Sequence, residues 1–106
     1  MESKFYRIRY TPLAFEDLDE IDDYISVTLA NPQAALALLD EIERSVSRLK
    51  RYPFMGSKVD DVVLATKDYR KLVVGNYLIF HLVNEAEREI VIMRVIYGAR
   101  EYRDLL

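Results

Sequence analysis

Residues 5–10 alternate. Tyr6, Ile8 and Tyr10 fall on one face and Arg7 and Arg9 on the other, the period-two pattern of a short strand. The period then lengthens. Thr11 offers a capping hydroxyl, and Pro12 suits the first helical position, where a missing N–H is no loss. Ala14, Leu18, Ile21, Ile25 and Leu29 recur at helical spacing and predict one apolar stripe. Asn31-Pro32 repeats the start signal. Ala35, Leu38, Leu39, Ile42, Val46 and Leu49 form a second stripe, and Arg44, Arg48, Lys50 and Arg51 crowd its C-terminal end, where the helix dipole favours cations. Tyr52-Pro53 ends it. Two helices with a short link predict an antiparallel helical hairpin.

Residues 54–68 read as irregular, with Gly56 at a turn. Three strand-like runs follow, at 69–74, 77–83 and 89–97. Gly75-Asn76 predicts a two-residue hairpin turn between the first two, and 84–88 is a polar loop. The order is β-α-α-β-β-β: an α+β fold with a helical hairpin packed on a mostly antiparallel sheet, in one domain spanning 1–106.

A sheet covered on one face should alternate cleanly, and these strands do not. Tyr77, Ile79, His81 and Val83 alternate with Leu78, Phe80 and Leu82. Ile90, Ile92, Arg94 and Ile96 alternate with Val91, Met93, Val95 and Tyr97. Both faces are largely apolar, and the hairpin can cover only one. The second face is expected to meet a partner protein or a second copy. The alternative is that residues 54–68 and the C-terminal tail fold back over it.

Composition narrows the chemistry. The chain has 106 residues, no cysteine and a single histidine, which excludes disulfides, thiolate metal sites and multi-histidine metal sites. No cofactor is called for. No apolar run approaches the roughly 20 residues that span a membrane, and Met1-Glu2-Ser3-Lys4 carries no signal-peptide stretch, so the expectation is a mature cytoplasmic protein. The net charge of −3 argues against nucleic-acid binding, but it is uneven. Residues 12–31 carry Glu16, Asp17, Asp19, Glu20, Asp22 and Asp23 with no Lys or Arg, leaving the remainder at +3.

No strong catalytic motif is present. Arg70, Lys71, His81, Arg94, Arg100, Tyr102 and Arg103 are a set that could hold a phosphodiester and move a proton. Each also has a structural explanation. His81 lies mid-strand among apolar neighbours, as packed histidines do. Arg70 and Lys71 are adjacent and point to opposite faces. Arg94 interrupts an apolar run and has the acidic helix as a source of ion-pair partners.

Thr11-Pro12-x-Ala14-x-x-Asp17-Leu18-x-x-Ile21-x-x-Tyr24-Ile25, then Asn31-Pro32-x-Ala34-Ala35, then Leu49-x-x-Tyr52-Pro53-x-x-Gly56, resembles the N-terminal half of RelE/ParE-family toxins. Tyr69-Arg70-Lys71-Leu72-Val73-Val74-Gly75-Asn76-Tyr77-Leu78-Ile79-Phe80, with Ile92-x-Arg94-Val95-Ile96-Tyr97-Gly98-Ala99-Arg100-x-Tyr102, resembles their C-terminal half. The resemblance implies the toxin of a type II toxin–antitoxin module, the kind associated with plasmid stabilisation and growth inhibition. It implies a hetero-oligomer with a cognate antitoxin, for which Leu78, Phe80, Leu82, Arg94 and Tyr97 are the candidate contacts. Within the family, RelE-like members cleave mRNA on the ribosome through basic residues plus a tyrosine or histidine, and ParE-like members inhibit DNA gyrase. Arg70 and Arg100 match basic positions of the nucleases, with Tyr102 or His81 left to handle the proton. Leu78 stands where those nucleases carry an arginine, and no tyrosine follows Tyr102. These departures favour the ParE-like activity. The alternatives are a ribosome-dependent mRNA endonuclease and an inactive homologue that only binds antitoxin.

Overall fold

A computed structural model of the chain describes residues 5–59, 68–98 and 106. It contains strand β1 (Arg7–Tyr10), helix α1 (Pro12–Asp23) running into a π-helical turn (Tyr24–Thr28), helix α2 (Pro32–Arg48), and strands β2 (Ser57–Lys58), β3 (Arg70–Val74), β4 (Tyr77–Asn84) and β5 (Glu89–Tyr97). The five strands form one sheet in the order β1-β5-β4-β3-β2. Only the β1–β5 pair is parallel. The α+β class, the helical hairpin and the mostly antiparallel sheet are as the sequence predicts. The short strand β2 is an addition, within a stretch that reads as irregular.

Both helix starts form as their residues dictate. The Thr11 hydroxyl accepts from the Ala14 N–H at 3.0 Å and donates to the Met93 carbonyl at 2.9 Å. It therefore caps α1 and ties it to β5. Asn31 Oδ1 accepts from the Ala34 N–H at 3.1 Å and caps α2. Between the helices the backbone widens: the Leu29 N–H reaches the Tyr24 carbonyl at 2.9 Å, a five-residue step. That step rotates the stripe out of phase, so Leu29, expected inside, is 54% exposed. Ala30 then takes a left-handed φ of +51° and turns the chain into α2.

The hairpin covers one face of the sheet. Ala14 and Ile21 of α1, with Ile42 and Val46 of α2 and the following Leu49, pack on Leu72, Val74, Ile79, Ile90, Ile92 and Val95. Gly56, at φ +93°, brings the chain after α2 against β3; a Cβ there would collide with the Lys71 carbonyl and the Leu72 side chain.

The face assignment of β5 needs correcting. Phe80 pairs with Arg94 but His81 pairs with Ile92, so Met93 is an extra residue in β5, a β-bulge. The strict alternation from Ile90 to Tyr97 breaks there. Ile90, Ile92 and Val95 face the helices, whereas Met93 and Ile96 belong to the opposite face. On that opposite face Phe80 and Ile96 are buried with Val59 and Tyr69, and Leu78, Leu82, Met93 and Leu106 pack around them. Residues flanking the 60–67 segment, together with the last residue, thus cover part of the face that the sequence offered to a partner.

Candidate functional site

Arg70 and His81 sit opposite each other on β3 and β4. The strand periodicity that makes Leu72, Val74 and Ile79 face the helices aims this pair toward the chain that leaves α2. The Arg70 guanidinium donates to the carbonyls of Phe54 at 2.6 Å and Gly56 at 3.4 Å, and lies 5.6 Å from the Phe54 ring centroid. His81 is fully buried, and neither ring nitrogen makes a well-formed hydrogen bond. Burial pushes its imidazole down to about 4; an interaction with the Pro53 carbonyl opposes this, and the nearby Arg70 guanidinium adds to the depression. The imidazole is therefore neutral at pH 7 and sealed from solvent. Arg100, Tyr102 and Arg103 lie outside the described residues.

A groove runs beside Arg70, lined by Arg9, Lys58 and Arg70 but also by Asp68, Glu85 and Glu89. Among the described residues cations and carboxylates balance, and Arg9 is already paired with Glu89 at 3.2 Å. A phosphate-binding groove needs an excess of positive charge, which the described residues of this one do not supply.

The candidate partner contacts separate. Leu78, Phe80 and Leu82 lie on the face away from the helices, and Phe80 is fully buried there by its own chain. Arg94 lies at the bulge. Its Nε and terminal nitrogen each donate at 2.8 Å to the two carboxylate oxygens of Asp17, a bidentate pair. Asp17 also accepts from the Val95 N–H at 2.9 Å. One buried carboxylate on α1 therefore satisfies both a charge and a backbone donor at the irregular point of β5.

Tyr97 is 46% exposed and stands at the other end of β5, opposite Tyr77. Their rings meet edge to face at 5.6 Å between centroids. Across from them, Asp17, Glu20, Ile21 and Tyr24 recur at helical spacing and present one face of α1. Together with Val95 these residues line a cleft of about 450 Å³. The Tyr77 hydroxyl is pushed up from its usual range by burial and by its neighbours Tyr97 and Tyr24. The residues of this cleft lie in two separate stretches of the chain, positions 17, 20, 21 and 24 at helical spacing and the aromatic ends of β4 and β5. The hairpin register brings Tyr77 beside Tyr97, and the packing of α1 on β5 brings both against the α1 face. Among the described residues, no group of three or more His, Cys, Asp or Glu is placed to hold a metal ion.

Comparisons with known proteins agree with this architecture. No curated protein matches the sequence. Among solved structures, the chromosomal ParDE toxin–antitoxin system from P. aeruginosa aligns with a TM-score of 0.71 at 26% identity, covering 90% of this chain and 98% of that one. The toxin–antitoxin complex RelBE2 from Mycobacterium tuberculosis aligns with a TM-score of 0.61 at 20% identity, covering 88% and 98%, a likeness of fold. A family model described as the ParE toxin of type II toxin-antitoxin system, parDE, matches residues 8–102. With its caps, hairpin and three-stranded antiparallel core inside that span, the chain belongs to the ParE toxin family of type II toxin–antitoxin systems.

Proposed function

We propose that the protein arrests growth by binding a protein target, with DNA gyrase the favoured target, and that a cognate antitoxin neutralises it in a hetero-oligomer. The observation that carries this reading is the state of the two candidate nuclease residues within the described structure. Arg70 is committed to main-chain carbonyls and the Phe54 ring, and His81 is neutral and sealed from solvent. Leu78 adds an apolar side chain where a nuclease of this fold would carry a cation. General acid–base chemistry on a phosphodiester needs a titrating group within reach of the reacting oxygen, and neither residue supplies one. The likeness to the ParDE system supports the antitoxin as partner.

The test is a supercoiling assay with purified protein and gyrase. Loss of supercoiling as the protein is titrated in is the expected result, and unimpaired gyrase at saturating protein rejects the target. Primer extension on mRNA from expressing cells separates the alternatives: cleavage inside translated frames would identify a nuclease. Unchanged growth on induction without antitoxin would identify an inactive homologue.

A further inference from the structure

The cleft between α1 and the ends of β4 and β5 is not explained by the fold alone. Tyr24 and Tyr97 border it with exposed rings, and Tyr77 packs between Tyr97 and the core. Tyr24 is 54% exposed. Its ring lies beside the cleft in phase with Asp17, Glu20 and Ile21, at the point where α1 gives way to the π-helical turn; such turns are frequent at functional sites. Tyr77 and Tyr97 supply two further ring edges and faces from the sheet.

Charge tells which occupant fits. Asp17, Glu20 and Glu16 all act on the Arg94 guanidinium, three carboxylates against one cation among the described residues. Arg94 is held by Asp17 through two hydrogen bonds, and the Glu20 carboxylate lines the cleft, so among the described residues its charge is negative. Asp19, Asp22 and Asp23 add negative charge elsewhere on the same helix, Asp19 and Asp22 on the side toward α2. Aromatic faces beside a carboxylate are an arrangement that binds cations, because the ring quadrupole and the carboxylate both attract positive charge.

We infer that the cleft lined by Tyr24, Tyr77, Tyr97 and Glu20 is a docking site for an arginine or lysine side chain carried by a basic segment of a partner protein. The cation sits against the tyrosine faces with its charge toward Glu20, and the acidic surface of α1 steers the rest of the segment. The inference rests on the reading that the chain works through protein partners, but not on which target it inhibits.

The experiment titrates the isotope-labelled full chain with N-acetyl-arginine amide, its lysine counterpart and its neutral citrulline counterpart, following chemical shifts by NMR. The expected result is saturable shifts at Tyr24, Tyr77, Tyr97 and Glu20 with arginine or lysine, and affinity roughly tenfold or more weaker with citrulline. Glu20→Gln and Tyr97→Leu should each weaken arginine binding by roughly three- to tenfold. Tyr24→Leu gives an independent reading should Tyr97→Leu perturb the fold, and Tyr52→Leu should leave binding unchanged. Equal binding of citrulline, shifts spread along the acidic helix without the tyrosines, or no saturable shift would each overturn the proposal. A chain that blocks gyrase yet fails this titration loses only the cleft assignment. One that binds arginine here but leaves gyrase untouched loses only the target.

Discussion

A neutral imidazole inside a protein holds stability that acid removes. His81 is fully buried and its folded pKa is lowered to about 4, whereas in the unfolded chain it returns to about 6.5. Above pH 6.5 both states are neutral and the group adds no pH dependence. Between about pH 6.5 and 4 the unfolded state binds the proton and the folded state does not, so stability falls as pH falls. From pH 7 to 5 the loss from this residue is about 2 kcal/mol. Urea denaturation at the two pH values should show it, and His81→Leu should flatten the slope by about that amount. The same substitution should cost little at pH 7, since no well-formed hydrogen bond is lost. The sequence showed that His81 sits among apolar neighbours. It did not show that the segment after α2, from Pro53 to Gly56, brings carbonyls to the Arg70 and His81 corner, because that contact crosses from the hairpin to the sheet.

At the scale of elements, the joint between α1 and β5 decides most. A bulge at Met93 breaks the ladder, and Asp17 receives both the Arg94 guanidinium and the Val95 N–H. Removing Asp17 takes away the carboxylate hydrogen-bonded to Arg94 and strips the Val95 N–H of its acceptor, which together cost about 3 kcal/mol. Asp17→Ala should therefore lower the stability of the whole domain by about 3 kcal/mol. In a double-mutant cycle, adding Arg94→Met should recover part of that loss, by removing the half-buried cation that Asp17 hydrogen-bonds. Additive losses would show that the pair is not coupled. The stripe of α1 and the acidic run were both legible in the sequence, and so was an ion pair for Arg94. Asp17 as its partner was not, since six carboxylates stood on the same helix and only the bulge places one of them in reach. Leu29 was misplaced for the reverse reason: a π-helical turn changes the period without a signature in the residues.

The whole molecule turns on how much apolar sheet it covers by itself. One face lies under the hairpin, and the other carries Val59, Tyr69 and Leu106 over Phe80 and Ile96. Leu106→Asp should uncover part of this second face, raise the fluorescence of an apolar dye and lower stability by about 1–2 kcal/mol. Unchanged dye binding would mean that Leu106 adds no cover. The sequence by itself determined the element order, the caps that start both helices, the absence of thiol chemistry and the separation of an acidic helix from a basic remainder. All of these are local, carried by spacing along the chain and by residue type. Only the tertiary structure decided which carboxylate pairs with Arg94, where the β5 alternation breaks, that His81 is sealed off, and that three tyrosines from distant segments share one cleft. Those depend on strand register and on a helix crossing a bulge. A one-residue shift in either reverses which side chains meet, while leaving the local pattern of the sequence unchanged.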